Sequence, residues 1–307
     1  MSAAVYPGEF ADPFVLATTG GYVAVGTEDP VPASGPVFPM LTSPDLREWR
    51  EAGRVLARPD PALGDTFWAP EIAPHDERWW LYYSVGHGIH GHHVRVAVAD
   101  DVAGPYRDTG TDLTPGELFA IDAHPFRDVD GRMYVFFARD VLEAERPGTH
   151  LAVVPLLAPE APAGEPVAVL SPSADWQIYE RDRAMYGSRY DWHTLEGPAV
   201  VRRHGRYWMT FSAGAWTGDG YAVSWAVADH PLGPWTPAPP DRAPLLATGD
   251  GLVGPGHNSL VVGPDGDFIA FHSWDAERTA RRMHVRRIAF ELDGPRVTDP
   301  LGDRPSP

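Results

Sequence analysis

The sequence predicts an all-β chain: a single domain over residues 1–307, built as a five-bladed β-propeller with four antiparallel strands per blade. Short aromatic or β-branched runs bounded by turn residues recur along its length, long helical periodicity is scarce, and a unit of about sixty residues repeats. In the first unit Asp12 opens Asp12-Pro13-Phe14-Val15, and nine residues on Gly21 turns the chain into Tyr22-Val23-Ala24-Val25. The same count from Trp68 reaches Glu77 in Asp76-Glu77-Arg78, ahead of Trp79-Trp80-Leu81-Tyr82-Tyr83. In the third unit Asp122 stands nine residues before Gly131 and Met133-Tyr134-Val135-Phe136-Phe137 follows. Glu196 and Gly205 precede Tyr207-Trp208-Met209-Thr210-Phe211, and His257 and Gly266 precede Phe268-Ile269-Ala270-Phe271. Third strands are expected over Val94 to Ala99, Ala222 to Val227 and Met283 to Ile288. The key residues stand 56, 54, 74 and 61 apart, and the excess in the third interval is assigned to Pro155 to Asp191, a loop or blade insertion.

Composition narrows the function. A hydrophobic share of 43% is ample for a core, and Gly 31 and Pro 33 fall in short clusters, as many tight turns require. The net charge of -17 disfavours nucleic acid or an anionic membrane as partner and suits a neutral or cationic substrate. With Cys 0, disulfides and thiolate metal sites are excluded. No stretch reads as a bilayer span, and Met1 to Gly8 has neither a basic n-region nor an apolar h-region, so a cytoplasmic location is expected.

If the units close into a ring, Asp12, Trp68, Asp122, Glu196 and His257 converge on its axis. Loops after the second strands then lie on the same face and bring Glu28, Asp29, Arg139, Trp216, Trp274 and the His87-Gly88-Ile89-His90-Gly91-His92-His93 run; Arg281 opens the last third strand there too. Two carboxyls flanking a bond, one protonated and one ionised, are the equipment of glycoside hydrolysis. A third nearby raises the acid's pKa by repulsion. Residues on separate blades leave room for a water, which favours inversion. Trp68, Trp216 and Trp274 offer flat faces for sugar rings, and Arg281 can bind a hydroxyl or hold the base. A lone Asp-Pro or Glu-Gly-Pro is a common turn piece, so recurrence at one repeat position carries the catalytic reading. His257 is a candidate ion or water ligand on the axis; the His-rich loop reads as solvated or substrate-facing rather than as a zinc site.

At these residues the chain resembles glycoside hydrolase family 43. The carriers are Ala11-Asp12-Pro13, Ser43-Pro44-Asp45-Leu46-Arg47-Glu48-Trp49, Trp68-Ala69-Pro70-Glu71-Ile72, Ile121-Asp122-Ala123-His124-Pro125, Leu195-Glu196-Gly197-Pro198 and Gly256-His257-Asn258-Ser259. The resemblance implies an inverting five-bladed propeller with Asp12 as general base, Asp122 as orienting and pKa-tuning carboxylate, and Glu196 as general acid. It also implies Arg281 on the substrate side and His257 beside an axial calcium or water, with no cofactor required. The expected activity is release of a terminal pentose from an oligosaccharide. An α-L-arabinofuranosidase is the first reading, a β-xylosidase the second, and a non-catalytic sugar-binding or scaffold propeller the alternative of another class.

Overall fold

The structure, a computed structural model, describes residues 4–263 and 266–300. Among the described residues there is no α-helix, only three short 3-10 turns between strands. Ala11–Thr18 (β1), Gly21–Thr27 (β2), Val37–Ser43 (β3) and Arg50–Leu56 (β4) form one four-stranded sheet in chain order. Thr66–His75 (β5), Arg78–His87 (β6), His90–Ala99 (β7) and Arg107–Asp112 (β8) form the next. A third unit holds Ala120–Arg127 (β9), Met133–Val141 (β10) and Gly148–Ala158 (β11), with Ala161–Pro162 (β12) and Val167–Leu170 (β13) as outer partners of β11. A fourth holds Ile178–Met185 (β14), Ser188–Arg203 (β15), Arg206–Ala213 (β16), Ala222–Ala228 (β17) and Thr236–Pro237 (β18). Gly256–Gly263 (β19), Gly266–Trp274 (β20), Arg281–Glu291 (β21) and Gly294–Pro300 (β22) make the last four-stranded sheet.

The third and fourth units are fused into one ten-stranded sheet, because β11 pairs in parallel with β15 at Gly148–His193 and Thr149–Thr194. Residues 155–191, expected as a loop or insertion, are therefore largely strand. Their last part is the hairpin β14–β15, turning at Tyr186 and Gly187.

First strands touch in a closed circuit, β1 to β5 to β9 to β15 to β19 and back to β1. The apolar faces of consecutive units meet in separate clusters. Met40, Phe67 and Tyr83 lie between the first two, Tyr82, Val96 and Phe137 between the next, and Phe136, Leu195 and Met209 between the third and fourth. Trp208, Val223 and Phe271 follow, and Phe10, Val15, Phe268 and Met283 join the last unit to the first. Strands buried on both sides read as continuous apolar runs, which is why β10, β16 and β20 lack polar alternation.

Each first strand breaks register with its second strand at one place, between Ala11 and Phe14, Trp68 and Glu71, Ile121 and His124, Glu196 and Ala199, and Gly256 and Ser259. Within these bulges Asp12, Ala69, Asp122, Gly197 and His257 take φ of 50°, 46°, 60°, 54° and 43°, the left-handed region. The repeat register is thus Asp12, Ala69, Asp122, Gly197 and His257, a correction of one residue in two units. Trp68 and Glu196 precede the bulge residue instead of occupying it. In the second unit β6 begins at Arg78, nine residues after Ala69, so Arg78 and not Glu77 is the equivalent turn position. Pro13, Pro70 and Pro198 each follow the bulge residue directly and mark the true register.

Candidate active site

The five bulges aim their backbone N–H groups at the neighbouring unit, and a side chain of that unit's second strand accepts in four cases. The Ala69 N–H donates to Thr27 Oγ1 (2.8 Å), that of Asp122 to Ser84 Oγ (3.1 Å) and that of His257 to Ser212 Oγ (2.7 Å). The Asp12 N–H donates to His272 Nδ1 (3.1 Å), which joins the last sheet to the first. In the fourth unit the Gly197 N–H donates to Asp122 Oδ2 (2.9 Å). Left-handed φ costs a non-glycine residue roughly 1–2 kcal/mol, and these bonds hold the strained bulges in place.

The structure brings Asp12, Asp122, Glu196 and His257 into one enclosed cluster. The side chains of Asp12 and Asp122 keep only 11% and 5% exposure, so each shows solvent or substrate a small edge. His257 Nδ1 lies 3.3 Å from Asp12 Oδ1 and 3.8 Å from Asp122 Oδ2. His272 Nδ1 is 3.3 Å and Arg281 Nη1 3.9 Å from Asp12 Oδ1. The Tyr221 hydroxyl donates to Glu196 Oε1 at 2.5 Å. Tyr221 reaches it across Gly256, where a Cβ would stand 1.9 Å from the tyrosine ring, so only glycine fits.

These neighbours drive the carboxyls apart. Burial disfavours the charge on Asp12, but the charges of His257 and Arg281 oppose it, and its pKa is held far below the ordinary range. Burial, then the charge of Asp122, pushes Glu196 well up. Asp122 is also raised, by burial and by Asp12, against the opposing charge of His257. Burial lowers His257, but it is raised on balance because Asp12 and Asp122, then Glu196 and Glu71, surround it. His272, buried and near Arg281, is pushed down to about 4 and is neutral. One carboxyl is thus kept ionised and another protonated, the arrangement an acid–base pair needs.

The other expected residues are placed as follows. Arg281 lies with its guanidinium carbon 4.8 Å from the Trp216 ring centre and 5.8 Å from that of Trp274. The two indoles stack at 6.0 Å, and Trp274 Nε1 donates to the Trp216 carbonyl. The pair therefore cradles Arg281 beside Asp12 instead of standing as two separate platforms. Trp68 stacks on the buried His92 at 3.6 Å between ring centres. Arg139, at the end of β10, is engaged by Glu117 at 2.8 Å. The histidine-rich loop is the tight β6–β7 turn: His87 and His90 are exposed, His92 supports Trp68, and His93 turns to Thr114 and Asp112. Among the described residues no group of three or more His, Asp or Glu is arranged to hold a metal ion.

Sequence reasoning missed several members. Tyr221 and His272 touch the carboxyls of Glu196 and Asp12, and Glu9 accepts from the Arg281 N–H (2.6 Å) while standing 3.4 Å from its Nε. His124 accepts from the Val200 N–H and donates through Nδ1 to Glu71 (2.8 Å), tying three units together below the site. A histidine inside the apolar run of β20 was the signal available for His272; Tyr221, just ahead of β17, gave none.

A protonated and an ionised carboxyl in one enclosed cluster, with an arginine alongside, define a glycosidase-type site. The comparisons agree with that class. The profile of the family described as Glycosyl hydrolases family 43 matches residues 2–295. A beta-D-galactofuranosidase of Aspergillus niger is 30% identical over 92% of this chain and 79% of its own length. An extracellular exo-alpha-(1->5)-L-arabinofuranosidase of Streptomyces avermitilis is 24% identical over 97% of this chain, which spans 63% of that relative. The crystal structure of a thermostable family-43 glycoside hydrolase superposes with a TM-score of 0.82 at 27% identity, over 97% of this chain and 96% of that one. The chain belongs to glycosyl hydrolase family 43, and it is a glycoside hydrolase.

Proposed function

We propose that the protein is an exo-acting, inverting furanosidase that removes terminal α-L-arabinofuranose from oligosaccharides. The observation that carries this is the opposite electrostatic setting of Asp12 and Glu196 within one cluster. Asp12, ionised, takes a proton from the attacking water. Glu196, protonated, gives its proton to the departing oxygen; with Oε1 engaged by Tyr221, Oε2 carries it. Asp122 and His257 set the charge between them. Asp12 and Glu196 sit on β1 and β15, which are not neighbours in the circuit and are separated by β19 with its His257, and this spacing supports room for water. We read the closed circuit of inner strands as a five-bladed propeller and the chain as one catalytic domain. His257 offers one imidazole nitrogen, against the six to eight oxygens a calcium takes; a cation there would rest on water, and the reaction as proposed needs none.

A second reading is β-D-galactofuranoside cleavage, favoured by the Aspergillus relative. That sugar shares the ring stereochemistry of α-L-arabinofuranose and differs by one exocyclic carbon, so the same site can be asked about both. Nitrophenyl α-L-arabinofuranoside, β-D-galactofuranoside and β-D-xyloside, compared by kcat/KM, decide it. The arabinofuranoside is expected to lead by about tenfold or more, since an added or missing carbon is worth roughly 10–200-fold. A leading galactofuranoside or xyloside overturns the assignment.

A further inference from the structure

Five equivalent positions on the second strands face the five bulge N–H groups: Thr27, Ser84, Ala138, Ser212 and His272. Each is paired with the residue just before its own unit's bulge, at Ala11, Trp68, Ile121, Glu196 and Gly256. Three of them are hydroxyls and accept the next unit's N–H in the same way. The two departures both fall at carboxyls. Ala138 has no acceptor, and the N–H it would have served, that of Gly197 beside Glu196, goes to the Asp122 carboxylate. His272 replaces a hydroxyl with an imidazole that accepts the Asp12 N–H and also stands 3.3 Å from the Asp12 carboxylate.

We propose that the side-chain choices at 138 and 272 are positioning choices: Ala138, by withholding an acceptor, delivers Asp122 to the strand of Glu196, and His272 holds the Asp12 backbone with a ring that also packs between Tyr221 and His257. This rests on the acid and base roles assigned above. A serine at 138 would capture the Gly197 N–H, as Ser84 and Ser212 capture theirs, and release Asp122. The fold would keep its hydrogen bond; the site would lose its alignment. His272 has the complementary design. Its Nδ1 accepts from Asp12, so Nε2 carries the proton, and that Nε2 is buried without a hydrogen-bond partner. A hydroxyl would close the ring without leaving a buried orphan, which costs about 1–3 kcal/mol. The imidazole is retained against that cost, and what it adds beyond a hydroxyl is a flat ring stacked between Tyr221 and His257, the two side chains that reach Glu196 and Asp12.

The test restores the hydroxyl rule. Ala138→Ser, His272→Ser and His272→Asn are compared with Thr27→Ser, which alters the ring only at Ala69, away from the carboxyls. Expected for Ala138→Ser is a melting temperature within about 3 °C of wild type with kcat down about tenfold or more and KM within about threefold, the scale a small misplacement costs. His272→Asn, whose amide oxygen can stand in for Nδ1, should retain more kcat than His272→Ser, and Thr27→Ser should stay within about twofold. Carbon-13 titration of the Asp122 carboxyl reports independently of any substrate. Its midpoint should rise in Ala138→Ser, because the ionised form loses a donor. If wild type cleaves none of the three glycosides, the functional reading fails while this titration still decides the positioning claim. An unmoved Asp122 midpoint, wild-type kcat in Ala138→Ser, or kcat losses in the His272 pair that track melting temperature alone would each overturn it.

Discussion

Replacing Glu196 by Gln should stabilise the protein while disabling it. The folded chain keeps the Glu196 carboxyl protonated near pH 7, through burial first and the Asp122 charge second. The unfolded chain ionises the same group with a pKa near 4.3, so at pH 7 folding forgoes about 2.7 units of ionisation, roughly 3–4 kcal/mol at 1.36 kcal/mol per unit. A raised folded pKa means the contribution is fully favourable below about pH 4.3 and is lost as pH climbs toward the folded value. Gln is neutral in both states and keeps an oxygen for the Tyr221 hydroxyl, so the penalty disappears. With an unfolding entropy of about 2.1 cal/mol/K per residue over 307 residues, the melting temperature should rise by roughly 5 °C at pH 7. At pH 4 the gain should vanish. Calorimetry of both proteins at the two pH values reads this directly. A gain equal at both, or a loss at pH 7, would show that Glu196 is not held protonated by its surroundings and would remove the physical basis for calling it the acid.

The remaining predictions concern roles and conditions. Glu196→Ala should lose about 10²–10⁴-fold on alkyl or sugar leaving groups yet much less on activated aryl glycosides, whereas Asp12→Ala should be inactive on both until azide or formate replaces the base; equal losses on every substrate would mean the roles are misassigned. Asp122→Asn removes the repulsion that lifts Glu196, so the alkaline limb of kcat/KM should move to lower pH, and a limb that stays in place would deny Asp122 its tuning part. Chelator should cost at most about twofold in activity or a slight fall in melting temperature, because His257 brings few protein ligands with it; stoichiometric metal in the purified protein, with complete loss on removal, would reverse that view. Proton NMR of the first product should show β-L-arabinofuranose from an α-L-arabinofuranoside, and a first-formed α anomer would make Asp12 a nucleophile roughly 5–5.5 Å from Glu196.

Much of the frame was legible because its signals are periodic. Paired apolar runs give β2, β6, β10, β16 and β20, and the recurrence of Asp12, Asp122, Glu196 and His257 marks the cluster in the sequence itself. The register error at Trp68 and Glu196 came from counting to turns, whose lengths vary, while Pro13, Pro70 and Pro198 mark the bulges directly. The β14–β15 hairpin is not legible in the sequence because its strand Ile178–Met185 is charged through its middle and exposed or half-buried throughout, without the apolar run that marks the second strands; it is joined by an antiparallel backbone ladder, with Arg189–Asp182 and Arg181–Asp191 pairs on its surface. Tyr221 could not have been found, since contact with Glu196 depends on a glycine from another unit letting the ring pass.

The division of labour between two like carboxyls is set by which sheet flanks them. The cations that favour charge on Asp12 come from the last sheet: His257 from β19 and Arg281 from β21. Glu196 receives no cation at salt-bridge distance among the described residues, only a phenol. Closing the circuit is therefore also what keeps Asp12 ionised, as the base proposed above must be. The bonds that complete the circuit are the ones that assemble Asp12: its N–H to His272, the Val15 N–H to Ser259 (3.1 Å), and the Phe10 and Val5 N–H groups to the carbonyls of Arg281 and Met283 (2.9 Å each). A repeat frame can place identical carboxyls on every unit. What drives the pKa of one down and of another up is the asymmetry at the junction where the last unit meets the first.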